Sequence, residues 1–216
     1  MTVAAAAPNL APMTKPRLTY FDQAASRGEE CRLALFVAGV DFEDNRIQRS
    51  AWADLKPTTP FGSLPTFEVP GKPPVSQSNA ILGFIGRSHG LLPGDAWEAL
   101  RLESLMSAAE DLRHAVTKTF GIADPAELVK RRGELVDGPI KTWAANMEKQ
   151  IVGPFAGGAS ISVADIKLFV LMGWFKKGVL DHVPTDVLAP FERLERLFES
   201  VKSHPKVVAW YARPSQ

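Results

Sequence analysis

The chain has 216 residues, 45% of them hydrophobic and 23% charged, with a formal net charge of +1 at pH 7. That is enough for a real core in one domain or two modest ones, and it leaves no charge excess to draw the protein to nucleic acid or a membrane surface. One cysteine excludes an internal disulfide and a cysteine-based metal site, and four scattered histidines show no ligand spacing, so no metal is expected.

Residues 1–15, with an Ala run broken by proline and no basic leader, read as a loose tail and not as a secretory signal. No stretch approaches the ~20 apolar residues of a membrane span, so a reducing, cytoplasmic setting is the expectation. RLTYF, 17–21, predicts a strand. The segment after it shows helical spacing through Cys31, Leu35 and Ala38, stops at Gly39, and carries Ser26 and Glu29 at capping-box spacing. FEDNRI, 42–47, predicts a second strand, and SLPTFEV and PPVSQS a hairpin turned by Pro70-Gly71. A helix follows, with Ser78 as the expected N-cap and Gly90 as its stop. This order builds a small sheet with helices packed on it.

LLPGD, 91–95, is the expected linker, and from there only helices are predicted. Asp95 and Glu98 cap a long one with an apolar stripe through Trp97, Leu100, Leu105, Ala108, Leu112 and Val116. Asp124-Pro125 starts another, which Gly138-Pro139 kinks or breaks. Its basic run Lys130, Arg131, Arg132 reads as a solvated face. Ser162 and Asp165 cap a helix so uniformly apolar that it belongs in the centre of a bundle, and two helices near 187–203 and 205–211 follow. The domain expectation is 16–90 and 95–216.

Three places could carry chemistry. The residue before a proline is pushed to extended geometry, so Leu64 at Leu64-Pro65 presents its backbone groups like an edge strand, open to pairing with an extended peptide. Gln77 and Ser78 stand at a helix start, where free N–H groups attract a carboxylate. Together they describe a site for a small peptide with an anionic end, although turn-shaping and capping account for each singly. Tyr20 closes the first strand, where a half-buried structural role and a catalytic one weigh equally.

The stretches LTYFDQAASRGEECRLALFVAGVDFEDNRI, WADLK, FGSLPTFEV, QSNAI, EDLR and SVADI, in this order over 17 to about 210, resemble the glutathione transferases, in particular their tyrosine-type branch and within it the sigma class. The resemblance implies a thioredoxin-like domain followed by an all-helical one. It implies a glutathione transferase that joins the glutathione thiolate to small hydrophobic electrophiles as a homodimer, with isomerase or peroxidase chemistry, or non-catalytic ligand binding, as alternatives. It implies that Tyr20 donates to the glutathione sulfur with Arg27 close behind, and that Trp52 and Lys56 reach the glycine carboxylate. The Leu64 backbone would pair with the cysteinyl part, with Ser63 and Pro65 also in the glutathione site, Gln77 and Ser78 would hold the γ-glutamyl end, and Asp111 would reach the γ-glutamyl ammonium held by the partner subunit. Asp165 is implied to be structural. The chain differs from the family pattern by one extra residue between Tyr20 and Arg27, and by Ser63 where relatives carry Gln or Lys. Ser26 is the rival activator, at the position used by serine-type relatives. Cys31, on the apolar side of its helix, reads as a packed thiol. The electrophile pocket is expected between the domains, walled by Met106 to Arg113 and by Trp210 and Tyr211.

Overall fold

The computed structural model describes residues 14–213; the tail expected over 1–15 lies mostly outside them. Of that tail, Lys15 pairs with Asp41 at 3.1 Å. Strand β1 (Arg17–Phe21) runs parallel to β2 (Glu43–Ile47) and antiparallel to β3 (Thr66–Glu68), which pairs with β4 (Val75–Ser76), giving the order β2-β1-β3-β4. Alternation along β1 sends Leu18 and Tyr20 to the buried face. Helix α1 (Ser26–Ala38) and helix α3 (Ser78–Ser88) pack side by side there, burying Leu33, Leu35, Ile81, Leu82 and Ile85 with Leu18 and Phe67. The hairpin turns as read: the Lys72 N–H donates to the Val69 carbonyl at 3.1 Å, with Gly71 at φ +74°.

Between β2 and β3 lies an irregular stretch with the short helix α2 (Trp52–Leu55). After residues 91–95 come α4 (Ala96–Thr117), α5 (Pro125–Leu135), α6 (Lys141–Glu148), α7 (Val163–Lys176), α8 (Glu192–Lys202) and α9 (Pro205–Tyr211). Gly138-Pro139 sits in a π-type turn, Val136–Ile140, that joins α5 to α6. Helix α7 is buried on all sides from Val163 to Phe175 and packs on α1, α4 and α8. Its capping box closes as expected: Asp165 accepts from the Ser162 N–H at 2.8 Å and the Ser162 hydroxyl at 2.6 Å, and also from the Ala156 N–H at 2.6 Å. The protein is thus a small mixed sheet with its own helices followed by an all-helical domain.

Four expectations are corrected. Ser26 and Glu29 form no capping box: α1 has no side-chain cap, Ser26 stands at φ +63°, and the Glu29 carboxylate accepts the Trp210 indole N–H at 2.7 Å instead. Ser78 is the first helical residue of α3, and Gln77 is the cap residue. On α4, Trp97 is 71% and Leu100 54% exposed, because the buried face runs through Leu102, Leu105, Met106, Ala109, Leu112 and Val116. Lys130 and Arg131 are solvated, but Arg132 is buried, with its guanidinium 5.7 Å from the centre of the Phe120 ring.

Candidate active site

The sheet register places three of the sequence candidates in one row. Pairing of Thr19 with Thr66 continues to Tyr20 beside Pro65, and pairing of Thr66 with Ser76 continues to Pro65 beside Gln77. Tyr20, the Leu64-Pro65 step and the start of α3 therefore share one end of the sheet. The Leu64-Pro65 bond is cis, and among the described residues neither the N–H nor the C=O of Leu64 bonds to another backbone group. Gln77 holds φ +81° and ψ 105°, a sparsely populated backbone region for a residue with a side chain. Such outliers cost ~1–3 kcal/mol and persist where surrounding structure, often a ligand clamp, holds them. Ser78 is buried beside it at the head of α3, an 11-residue helix. Ser63 lies just before, its N–H donating to the Thr59 hydroxyl at 3.1 Å.

Trp52 joins the row through Phe21, whose ring meets the indole edge-on at 5.9 Å between centroids. Lys56 is exposed, its stem passing the Gly62 backbone, where a Cβ would stand 3.4 Å from its Cε. Asp111 does not join the row. It is exposed on α4, lines a groove of about 600 Å³ against α6, and among the described residues has no cation within 4 Å.

Tyr20 is 6% exposed. Its ring lies against the backbone of Gly28: a Cβ built on Gly28 would fall 2.1 Å from Cδ1 and 2.2 Å from Cγ. In the turn ahead of α1, Ala25 is extended and Ser26 left-handed. Arg32 pins that turn from inside. It donates to the carbonyls of Gln23 at 2.9 Å and Phe21 at 3.1 Å, and to Asp44 at 2.7 Å, with its guanidinium 5.8 Å from the Tyr20 ring centre.

Next to this turn is a feature the sequence reading missed. Between α1, α4 and α7, Glu30, Arg113 and Lys167 are each 0% exposed and bonded together. Glu30 accepts from Lys167 at 2.8 Å and from Arg113 at 3.3 and 3.1 Å. Glu110 joins them, accepting from Lys167 at 2.5 Å and from Arg113, while its other oxygen accepts from Arg27 at 2.7 and 3.0 Å. Burial opposes ionisation of Glu110, but Arg113, Lys167 and Arg27 outweigh it and hold the carboxyl down at about 2. Arg27, expected to act on a ligand, is thus also committed to Glu110. The one signal in the sequence was Lys167 itself, a charge in the middle of an apolar helix, which must be paired if buried.

Cys31 is the packed thiol expected. It is 0% exposed, and burial together with Glu30 pushes its pKa up, favouring the neutral thiol. The expected pocket walls are met in part: Met106 and Arg113 are sealed in at 1% and 0% exposure, whereas Tyr211 lines an opening. What opens between the β1–α1 turn and α7 and α9 is a cavity of about 80 Å³ lined by Ala24, Ala25, Glu29, Trp174, Lys177 and Tyr211, among others.

A mixed four-stranded sheet with a cis-proline ahead of β3, followed by a helical domain, is the architecture of glutathione-binding enzymes with a thioredoxin-like first domain, and the comparisons agree. The family model described as the N-terminal domain of glutathione S-transferase matches residues 16–87, and that of the C-terminal domain matches 110–214. Glutathione S-transferase 1 of Ascaris suum is 30% identical over 211 residues, which span 93% of this chain and 97% of that protein. The structure of prostaglandin synthase D of Nilaparvata lugens superimposes with a TM-score of 0.81 at 30% identity, over 93% of this chain and 98% of that one. Monomeric Na-GST-3 from the hookworm Necator americanus, described as a glutathione S-transferase, superimposes with a TM-score of 0.73 at 26% identity, over 93% and 98% of the two chains. The chain belongs to the glutathione S-transferase family.

Proposed function

We propose that the protein is a glutathione S-transferase that joins the thiolate of bound glutathione to small, hydrophobic electrophiles. The observation that carries this reading is the single row across the sheet end: the Tyr20 phenol, the free backbone of Leu64 and the left-handed Gln77. An extended tripeptide pairs with Leu64 as an added strand, flanked by Ser63 and Pro65. Gln77 and Ser78 receive its γ-glutamyl end at the helix start, and Trp52 and Lys56 donate to its glycine carboxylate. Tyr20 donates to the sulfur. The thiolate is the nucleophile and an ordinary thiol ionises near pH ~8.5, so a donor that favours the charged form raises the reactive fraction at neutral pH. Glutathione is a cosubstrate, and no step calls for a metal. Residues 16–90 form the glutathione-binding domain and 95–216 the helical one.

Exposed Phe61, Val75 and Phe84, together with unpaired Asp111, favour a homodimer in which Asp111 meets the partner's ligand. The monomeric Necator americanus neighbour makes sedimentation the necessary check. A cytoplasmic location agrees with a lone, buried cysteine.

Replacing Tyr20 with Phe should cut turnover of a generic chloronitroarene by ~10²-fold or more while leaving glutathione affinity nearly intact. If Ser26→Ala does this instead, the hydroxyl at the start of α1 is the activator. If the protein neither binds glutathione nor turns over the arene, the fold serves ligand carriage. The likeness to a prostaglandin synthase D favours one second reading, glutathione-dependent isomerisation at the same site. It is separated by product analysis with an endoperoxide substrate.

A further inference from the structure

The five-member ion group between α1, α4 and α7 is poorly explained by stability. Burying Glu30, Arg113 and Lys167 at 0% exposure costs desolvation that apolar side chains of the same volume would avoid. Its charge count is uneven: Arg27, Arg113 and Lys167 against Glu30 and Glu110 leave one positive charge in excess. Its position is specific. Arg27 directly precedes Gly28, on whose backbone the Tyr20 ring lies. Glu110 is the hub, one oxygen on Arg113 and Lys167 and the other on Arg27.

We propose that Glu110 and Lys167 are positioning residues for the thiolate chemistry: Glu110 fixes Arg27 beside Tyr20, and Lys167 supplies the cation that leaves this buried group positive and not neutral. This rests on the transferase reading above. A positive excess behind the sulfur favours thiolate over thiol, and low local polarisability lets a buried charge act at a distance. The other groups facing the cluster are few. From β1 comes Tyr20, and from α1 comes Cys31, kept as a thiol by its burial. Across α1 lies a separate set in which Arg32 and Arg46 pair with Asp44, Asp22 and Glu29. From α7 the Trp174 ring covers Arg113, at 5.4 Å. Lys167 also bears on Cys31, but burial holds that thiol protonated with or without it, so replacing residue 167 or 110 changes the formal charge of the group by one.

The test uses the full-length protein with glutathione as probe. The ionisation of the bound thiol is followed by its ultraviolet thiolate absorbance, alongside the pH profile of kcat/KM. Lys167→Met, which removes a cation, should move the apparent thiol pKa up by about one unit. Glu110→Gln removes an anion but keeps a carbonyl acceptor for Arg27, and should move it down by about as much. A merely structural role would lower the melting temperature of both variants and shift neither titration. Folded variants that titrate the bound thiol at the parental pH overturn the proposal. If Lys167→Met does not fold, Glu110→Gln decides alone: a downward shift supports, an unchanged pKa refutes. A parent that binds glutathione without lowering its thiol pKa sinks the transferase reading and this proposal with it, whereas a lowered parent matched by both variants sinks only the proposal.

Discussion

Gly28→Ala tests the placement of Tyr20 with a single methyl group. The added carbon would stand 2.1, 2.2 and 2.6 Å from Cδ1, Cγ and Cβ of Tyr20. Carbon atoms rest ~3.5–4 Å apart, so α1 and β1 must part by roughly 1 Å or the ring must leave its seat. The atoms met are the root of the side chain and not its tip, so rotating the phenol alone does not relieve the clash. Overpacking of this kind costs ~1–3 kcal/mol, and replacing a helical glycine with alanine returns ~1 kcal/mol. A net loss of ~1 kcal/mol is expected, a fall of ~2–4 °C in melting temperature for a chain of this size. The effect on chemistry should be larger, because a misplacement of ~1 Å at a reacting centre costs ~10²-fold. The assay is kcat with glutathione and a chloronitroarene, with glutathione affinity measured separately. In a Tyr20→Phe background the same replacement should cost little further activity. A Gly28→Ala variant with parental stability and turnover would refute the claim that this contact sets the position of the hydroxyl.

Three further outcomes follow from the buried polar groups. Because Glu110 is held down at about 2 in the folded protein, its contribution to stability is complete above the ordinary glutamate range and is lost as pH falls toward 2. The stability gap between parent and Glu110→Gln, read from melting temperatures, should therefore close across that window and stay open at neutral pH. Asp165→Ala leaves the Ala156 and Ser162 N–H groups buried without their acceptor, at ~1–3 kcal/mol each, so chemical denaturation should show a loss of ~2–5 kcal/mol. Cys31, 0% exposed and disfavoured as a thiolate, should resist a disulfide-exchange reagent in the native protein and react at once in denaturant. Labelling at the same rate in both conditions would contradict its burial.

The elements legible in the sequence were those fixed by local chemistry. Asp95 caps α4 by accepting the Glu98 N–H at 2.9 Å, Asp124 caps α5, and Ser162 and Asp165 close on each other, since each needs partners only three residues away. Gly39, Gly90 and Gly121 take positive φ because no side chain resists it. The failures share the opposite cause. Glu29 has the spacing of a capping box with Ser26, but its carboxylate answers to Trp210, 181 positions away. The stripe through Trp97 and Leu100 follows a helical period, yet which face of α4 is covered depends on α7, α3 and α6. At the candidate site, Tyr20, Leu64 and Gln77 were singled out by type and order, and the register then aligned them. The pairing of Glu30 with Lys167 spans 137 positions, and no local pattern encodes it.

Helix α9 clamps the opposite end of the molecule's first helix. Lys206 donates to the Val37 carbonyl at 2.6 Å, capping the last turn of α1, while Trp210 reaches Glu29 near its first turn and meets the Phe36 ring at a tilt, 5.3 Å between centroids. Seven residues thus brace a helix of thirteen that precedes them, across separations of 169 and 181 positions. During synthesis on the ribosome, the nascent sheet and α1 must wait for α9 to emerge before their cooperative unit is whole. A truncation that removes α9 should accordingly injure the tyrosine end of the sheet, although no residue of that helix lies within it.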